Sequence, residues 1–229
     1  MTQDDTSPRG DASPPPLAHE NDLPGIDPLA LDPQQAADVK HWRKAQRAQL
    51  LAERAALPVA VRQAAAEAIA GHLDAVLAER YPTVEGLTIS AWWPIKAELN
   101  LRHWLLSLLA RRARIALPVV STPAAPLVFR LWTPECRMVK GFWNIPVPAD
   151  GPEVVPDVTL APLVGWDGAG YRLGYGGGYF DRTLAALAPR PLTIGVGLCA
   201  ARVDTIFPQP HDIAMDVIVT EVGGQKLTL

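Results

Sequence analysis

The apolar positions of this chain recur first with helical and then with extended spacing. Asp32-Pro33 reads as a helix start: a side-chain N-cap followed by proline at the first helical position, where a missing N–H is tolerated. The first predicted helix is Pro33–Ala56, ended by Pro58, and an alanine-rich second helix covers Val59–Arg80, with Pro82 beyond it. Residues 87–92 then read as a short buried strand, 99–112 as a helix and 114–120 as a strand. This alternation points to a parallel sheet covered by helices on both faces. Further on, 127–132 is a predicted strand, 142–152 a proline-rich loop and 158–164 a central strand. A glycine-rich loop over 165–178, a helix over 179–188 and strands at 192–198 and 216–220 complete the pattern. No internal repeat is visible. The expected fold class is α/β: one three-layer α/β/α domain over 32–229, with a mostly parallel central sheet and an N-terminal helical pair.

Composition changes the picture at the N-terminus. Residues 1–31 contain prolines at 8, 14, 15, 16, 24 and 28 and no aromatic residue. Such a segment cannot bury enough apolar area to offset its conformational entropy, so a disordered acidic tail is expected. Residues 1–34 hold seven acidic side chains and one basic one, Arg9, whereas the remaining 195 residues hold 20 basic and 17 acidic. The body is therefore mildly basic, which suits small anions and is too weak a bias to indicate nucleic acid. No apolar run is long enough to span a membrane, and no secretory leader opens the chain. Two cysteines, Cys136 and Cys199, exclude a disulfide scaffold and a four-cysteine zinc site. A cytoplasmic monomer with no membrane or nucleic-acid partner is the expectation.

The most informative stretch is Arg172-Leu-Gly-Tyr-Gly-Gly-Gly-Tyr-Phe-Asp-Arg182, with glycines at 174, 176, 177 and 178 between a predicted strand and a predicted helix. Glycines allow close approach of a ligand to the main chain, and successive N–H groups at a helix start can cradle phosphate. A plain tight turn is the competing reading, since glycine is a common turn residue. The pattern is neither a P-loop nor a dinucleotide fingerprint. Arg43, Arg47 and Arg54 fall on one helical face, bordered by Lys40 and Lys44; a solvated basic face is the simpler alternative. Glu98 lies between a strand and a helix, where it either binds a ligand or supplies favourable charge to a helix N-terminus. Asp212 and Asp216 share a side whether their segment is helical or extended; they read as a cation site or as surface acids.

Residues 164–182, with Asp167, Gly170 and the glycine block, closely resemble the signature of the 5-formyltetrahydrofolate cyclo-ligase (5,10-methenyltetrahydrofolate synthetase) family. The blocks Arg43-Lys-Ala-Gln-Arg47, Trp93-Pro-Ile-Lys-Ala-Glu98, Trp143-Asn-Ile-Pro-Val-Pro148 and His211-Asp-Ile-Ala-Met-Asp216 match in the same order, so the resemblance covers about residues 36–222. It implies the α/β frame shared with sugar-phosphate isomerases and acyl-CoA transferases. It implies ATP contacts from Arg43, Lys44, Arg47, Arg172, Gly174, Tyr175, Gly176, Gly177, Gly178, Tyr179 and Phe180. It also implies a pterin contact from Glu98, aromatic walls from Trp93 and Trp143, and Mg2+ on Asp181 and Asp212, with Tyr179 and Arg172 nearest the chemistry. The implied reaction is ATP-dependent ring closure of 5-formyltetrahydrofolate. Three positions depart from the usual family residues: Arg43 for lysine, Gln46 for leucine and Phe180 for tyrosine. Two other classes fit the residues: a folate- or nucleotide-binding module with little turnover, and a sugar-phosphate isomerase or CoA-transferase-like enzyme on the same frame.

Overall fold

The computed structural model describes residues 33–227; the segment 1–31 read as a tail, and Asp32 read as a cap, lie outside them. In chain order the elements are α1 (Pro33–Ala56), α2 (Val59–Arg80), β1 (Thr88–Ser90), α3 (Arg102–Ala110), β2 (Arg114–Val119) and β3 (Val128–Trp132). They are followed by β4 (Met138–Lys140), β5 (Pro146–Pro148), β6 (Glu153–Val154), β7 (Val158–Pro162), β8 (Gly165–Asp167) and β9 (Arg172–Leu173). The chain continues through α4 (Tyr179–Ala186), β10 (Leu192–Val196), β11 (Arg202–Val203), β12 (Val217–Thr220) and β13 (Gly223–Lys226). The spatial order in the main sheet is β13-β12-β10-β7-β1-β2-β3-β6. The five strands β12, β10, β7, β1 and β2 are mutually parallel, and antiparallel pairing adds β13 at one edge and β3 at the other, with β6 antiparallel to β3.

Alternate side chains of the central strands build two layers of core. Ile89, Ile115, Val158, Leu160, Ile194, Val196, Val217 and Val219 pack under α2 and α3, which bring Ile69, Leu73, Leu77 and Trp104. On the opposite face Ala161, Leu163, Met215 and Ile218 pack with Leu184 of α4 and Trp166 of β8. Leu50 of α1 packs there too, against Val164, Leu173 and Ile206. The parallel sheet with helices on both faces is thus present.

Several element boundaries differ from the sequence-based expectation. The helix expected over 99–112 is only α3: Arg102 N–H bonds the Asn100 side chain before it, and Arg112, at φ 64°, leaves helical space after it. The expected loop 142–152 contains β5, paired with β4 through Val139 and Val147; Pro146 and Pro148 are tolerated because this two-stranded ribbon is all edge. The expected glycine-rich loop 165–178 is half hairpin. Asp167 folds it by accepting from Ala169 N, Tyr171 N and Ile206 N, which leaves only 174–178 as loop. The helix expected over 179–188 ends at Ala186 because Pro189 disfavours helical backbone just before it.

Candidate functional site

The face of α1 turned to the body carries Arg43, Arg47, Leu50 and Arg54. Its arginines behave differently. Arg43 is buried. Its Nε donates to the Ile206 carbonyl at 2.9 Å and its Nη2 to the Phe207 carbonyl at 2.8 Å. Nη1 and Nη2 also bond the two Asp212 oxygens, at 3.2 and 2.5 Å. Asp212 further accepts from Gln209 N at 2.6 Å. Burial alone would raise the Asp212 carboxyl, but the Arg43 and Gln209 hydrogen bonds and the Arg43 charge hold it below the ordinary range. Arg43 and Asp212, both implied as ligand-binding residues, therefore bind each other and tie α1 to the 206–212 segment. Arg43→Met is expected to cost about 3–5 kcal/mol, because it leaves a buried carboxylate unpaired; a lowered urea midpoint at unchanged m-value checks this.

Arg47, one turn further on, has no hydrogen-bond or ion-pair partner among the described residues, and its Nε is buried. Its guanidinium abuts the glycine loop: a Cβ at Gly176 would sit 3.5 Å from it. Burial, followed by the neighbouring Arg43 charge, lowers its pKa, yet a guanidinium stays charged in proteins. A half-buried cation on a cleft wall, with no hydrogen-bond partner among the described residues, is poised for an anion to join it. Lys44 lies on the exposed side of α1 and does not line the cleft.

The glycine loop runs from the end of β9 to the start of α4. Gly176 and Gly178 have φ of 94° and 63°, the left-handed region that side chains other than glycine rarely adopt. At Gly177 a Cβ would lie 2.9 Å from the Tyr179 ring, so bulk is excluded there by contact. At Gly174 nothing stands within 4 Å of a Cβ position, and this residue faces open cleft. None of the backbone N–H groups of 174–178 donates to a protein acceptor among the described residues. With the N-terminus of α4 behind them, they form a bare donor surface for an oxyanion. Arg182 props the loop by donating to the Gly177 carbonyl and stacking on Tyr179 at 5.1 Å.

Arg172 and Asp181 meet beneath this loop. Arg172 Nη2 pairs with Asp181 Oδ1 at 3.0 Å and Nη1 donates to the Ile213 carbonyl at 3.0 Å. The guanidinium lies over the Phe180 ring at 5.7 Å. Asp181 Oδ1 also accepts from Ile213 N at 3.1 Å, whereas Oδ2 has no protein partner among the described residues. Asp216, by contrast, is built into the sheet through Thr193 N and Oγ1. His211 is exposed, 3.9 Å from Asp212.

The facing wall is a turn after β1. Glu98 N bonds the Ile95 carbonyl at 3.0 Å, and Glu98 Oε2 accepts from Ile95 N at 2.8 Å. This aims a carboxylate that is only 8% exposed inward. Burial raises its pKa, partly offset by the Ile95 N–H, the Arg54 charge and the Tyr175 hydroxyl. Arg54 is buried too, and its Nη2 donates to Tyr175 Oη at 2.7 Å. This Arg54–Tyr175–Glu98 group was not legible as a unit; the one signal was Arg54 sharing a helical face with Arg43 and Arg47. Trp93 lines the cleft with Arg102 stacked on its ring at 4.7 Å. Trp143 stands 60% exposed at the tip of the β4–β5 hairpin, edge-on to Tyr179 at 5.6 Å, and forms the lip.

These walls enclose a cleft of about 790 Å³. It opens at the C-terminal ends of β1, β2 and β7, where strand order runs outward in both directions from the β7–β1 pair. That is the switch point at which open α/β sheets bind ligands, and the volume is in the upper range of small-molecule sites. Fold and site together define an α/β protein with a cleft that is basic and glycine-lined on one side, aromatic and acidic on the other. The model of the 5-formyltetrahydrofolate cyclo-ligase family matches residues 39–221, and the chain belongs to that family. A 5-formyltetrahydrofolate cyclo-ligase of Mycolicibacterium smegmatis is 33% identical over 186 residues, 78% of this chain and 93% of that protein. Its Escherichia coli K12 counterpart is 34% identical over 109 residues, 45% and 60% of the two chains. Among solved structures, Aquifex aeolicus 5,10-methenyltetrahydrofolate synthetase superposes with a TM-score of 0.68 at 27% identity, covering 82% of this chain and 93% of that one. The Mycoplasma pneumoniae enzyme gives 0.62 at 25%, covering 78% and 98%.

Proposed function

We propose that this protein closes 5-formyltetrahydrofolate to 5,10-methenyltetrahydrofolate while converting ATP to ADP and phosphate. The observation that carries the reading is one cleft with two unlike walls. Arg47 and the bare N–H groups of 174–178 call for a polyanion. Glu98 beside Trp93 calls for a flat ring bearing N–H donors. An amide-like formyl oxygen is a poor leaving group. In the proposed reaction it attacks the γ-phosphorus, the bond to the β-phosphate oxygen breaks and ADP departs. The 10-nitrogen then attacks the formyl carbon, the carbon–oxygen bond breaks to release phosphate, and the nitrogen loses its proton to solvent. The protein supplies position and charge neutralisation. Arg47 and the loop hold the phosphates, Arg172 adds positive charge beneath them, Tyr179 offers a hydroxyl at the loop's end, and Glu98 orients the pterin.

Magnesium fits this donor set in a particular way. It favours oxygen ligands, commonly one or two carboxylates completed by water and phosphate, and Asp181 Oδ2 is available on the cleft wall. Asp212 has both oxygens engaged by Arg43 and supports that side indirectly. Among the described residues no cluster of three acidic, histidine or cysteine side chains could hold a metal by itself. When bound, the ion would neutralise phosphate charge during transfer.

The test mixes purified protein, magnesium, ATP and 5-formyltetrahydrofolate and follows methenyl absorbance. Growth of that band only with ATP is the expected result; silence with ATP present overturns the reading. A pH effect follows from Glu98. Its raised pKa means that the ionised form is lost at a pH above that of an ordinary glutamate. Folate affinity therefore declines on acidification before exposed carboxylates titrate, at roughly 4.3. Tryptophan quenching against pH reads this, and Glu98→Gln removes the dependence.

A further inference from the structure

We infer that Tyr175 couples the two substrates, so that nucleotide and folate each strengthen the binding of the other; this rests on the reading above. Tyr175 is the one residue of the 174–178 loop with a side chain. Its backbone belongs to the donor surface assigned to phosphate, and its side chain crosses to the opposite wall. There the hydroxyl accepts from Arg54 Nη2 at 2.7 Å, and the Glu98 carboxylate is close enough to act on it electrostatically. The Arg54 and Lys96 cations lie 5.9 and 5.6 Å from the ring centre. Lys96 belongs to the same 95–98 turn that aims Glu98, and it holds a left-handed φ of 53° there. The ring is therefore bracketed by charges from both α1 and the Glu98 turn.

Gly176 and Gly178 hold left-handed φ on either side of Gly177, and no N–H of 174–178 has a protein acceptor among the described residues, so the loop's donors are unengaged until a ligand joins them. Phosphate on its N–H groups fixes the loop, and with it the position of the Tyr175 hydroxyl. That hydroxyl is the hydrogen-bond partner of Arg54, and the ring that carries it lies against Lys96 of the turn that holds Glu98. A pterin held by Glu98 acts in the reverse direction, immobilising Tyr175 and so preforming the phosphate cradle. Whichever ligand binds first meets the ordering cost, and the second binds more tightly. Linkage then requires the two enhancements to be equal. Tyr175 is a positioning residue in this scheme, acting through the loop on one side and Glu98 on the other.

Isothermal titration measures the Kd of 5-formyltetrahydrofolate with and without a non-hydrolysable ATP analogue and magnesium, and the Kd of the analogue with and without folate. The expected wild-type enhancement is about tenfold in both directions, within the usual range for coupled sites. In Tyr175→Phe, which keeps the ring and its cation contacts, the enhancement is expected to shrink to about twofold or less. A variant that only perturbed packing would change individual affinities and leave their ratio intact. An unchanged ratio in Tyr175→Phe overturns the inference, as does a wild type that binds both ligands independently. A wild type that does not bind 5-formyltetrahydrofolate at all overturns the proposed function and the coupling with it.

Discussion

Arg47→Met is expected to lower kcat/KM for ATP by roughly 10²–10³-fold, the usual loss when one preorganised donor to developing charge is removed. Arg47→Lys should recover part of this, since it keeps the charge but loses the guanidinium's fork of donors. The accompanying stability change separates the assignment from general damage. Among the described residues Arg47 has no hydrogen-bond or ion-pair partner and its Nε is buried, so replacing it with methionine removes a partly desolvated charge and leaves the melting temperature unchanged or higher. Arg43→Met, four residues earlier, has the opposite signature because it orphans Asp212. Full ATP-dependent turnover in Arg47→Met would overturn the phosphate assignment.

Asp181→Asn is the second large effect. The amide oxygen can still accept from Ile213 N and Arg172 Nη2, both of which meet Asp181 Oδ1, whereas alanine would leave Arg172, a side chain only 4% exposed, with no acceptor there. What is lost is the negative oxygen available to magnesium. Turnover should fall by about 10²-fold or more, and the magnesium concentration for half-maximal rate should rise, in line with removal of a transition-state charge contact. Manganese binding in the presence of nucleotide, read by electron paramagnetic resonance, gives a signal independent of turnover. Retention of tight nucleotide-dependent manganese binding in Asp181→Asn would place the metal elsewhere.

What could be read from the chain follows from which interactions are local. The limits of α1 and α2 are carried by Pro33, Pro58 and Pro82, all within a few positions of the boundaries. The 142–152 and 165–178 segments depend on partners outside themselves, whereas the 99–112 helix is shortened locally, by Asn100 before it and the left-handed Arg112 after it. Val147 becomes a strand residue through pairing with Val139. Likewise, 165–173 becomes a hairpin because the Asp167 carboxylate also captures Ile206 N, far along the chain. Among site residues, Glu98, Trp93, Arg172, Asp181 and the four glycines do line one cleft. Lys44 does not, since the 100° turn between successive helical residues carries it away from Arg43 and Arg47.

The sequence by itself determined the α/β alternation, the arginine face of α1 and the glycine loop ahead of a helix, because periodicity, proline and glycine act through the local backbone. Only the tertiary structure decided what those arginines do. Arg43 and Arg47 share a face and differ by one turn, yet the 206–212 segment reaches one of them with two carbonyls and a carboxylate and leaves the other facing the cleft. Tyr175 likewise reaches Arg54 and Lys96 only because the segments after β1 and β9 are brought to one cleft. A hydrogen bond has no reach along the sequence; its partners are set by where the fold places them.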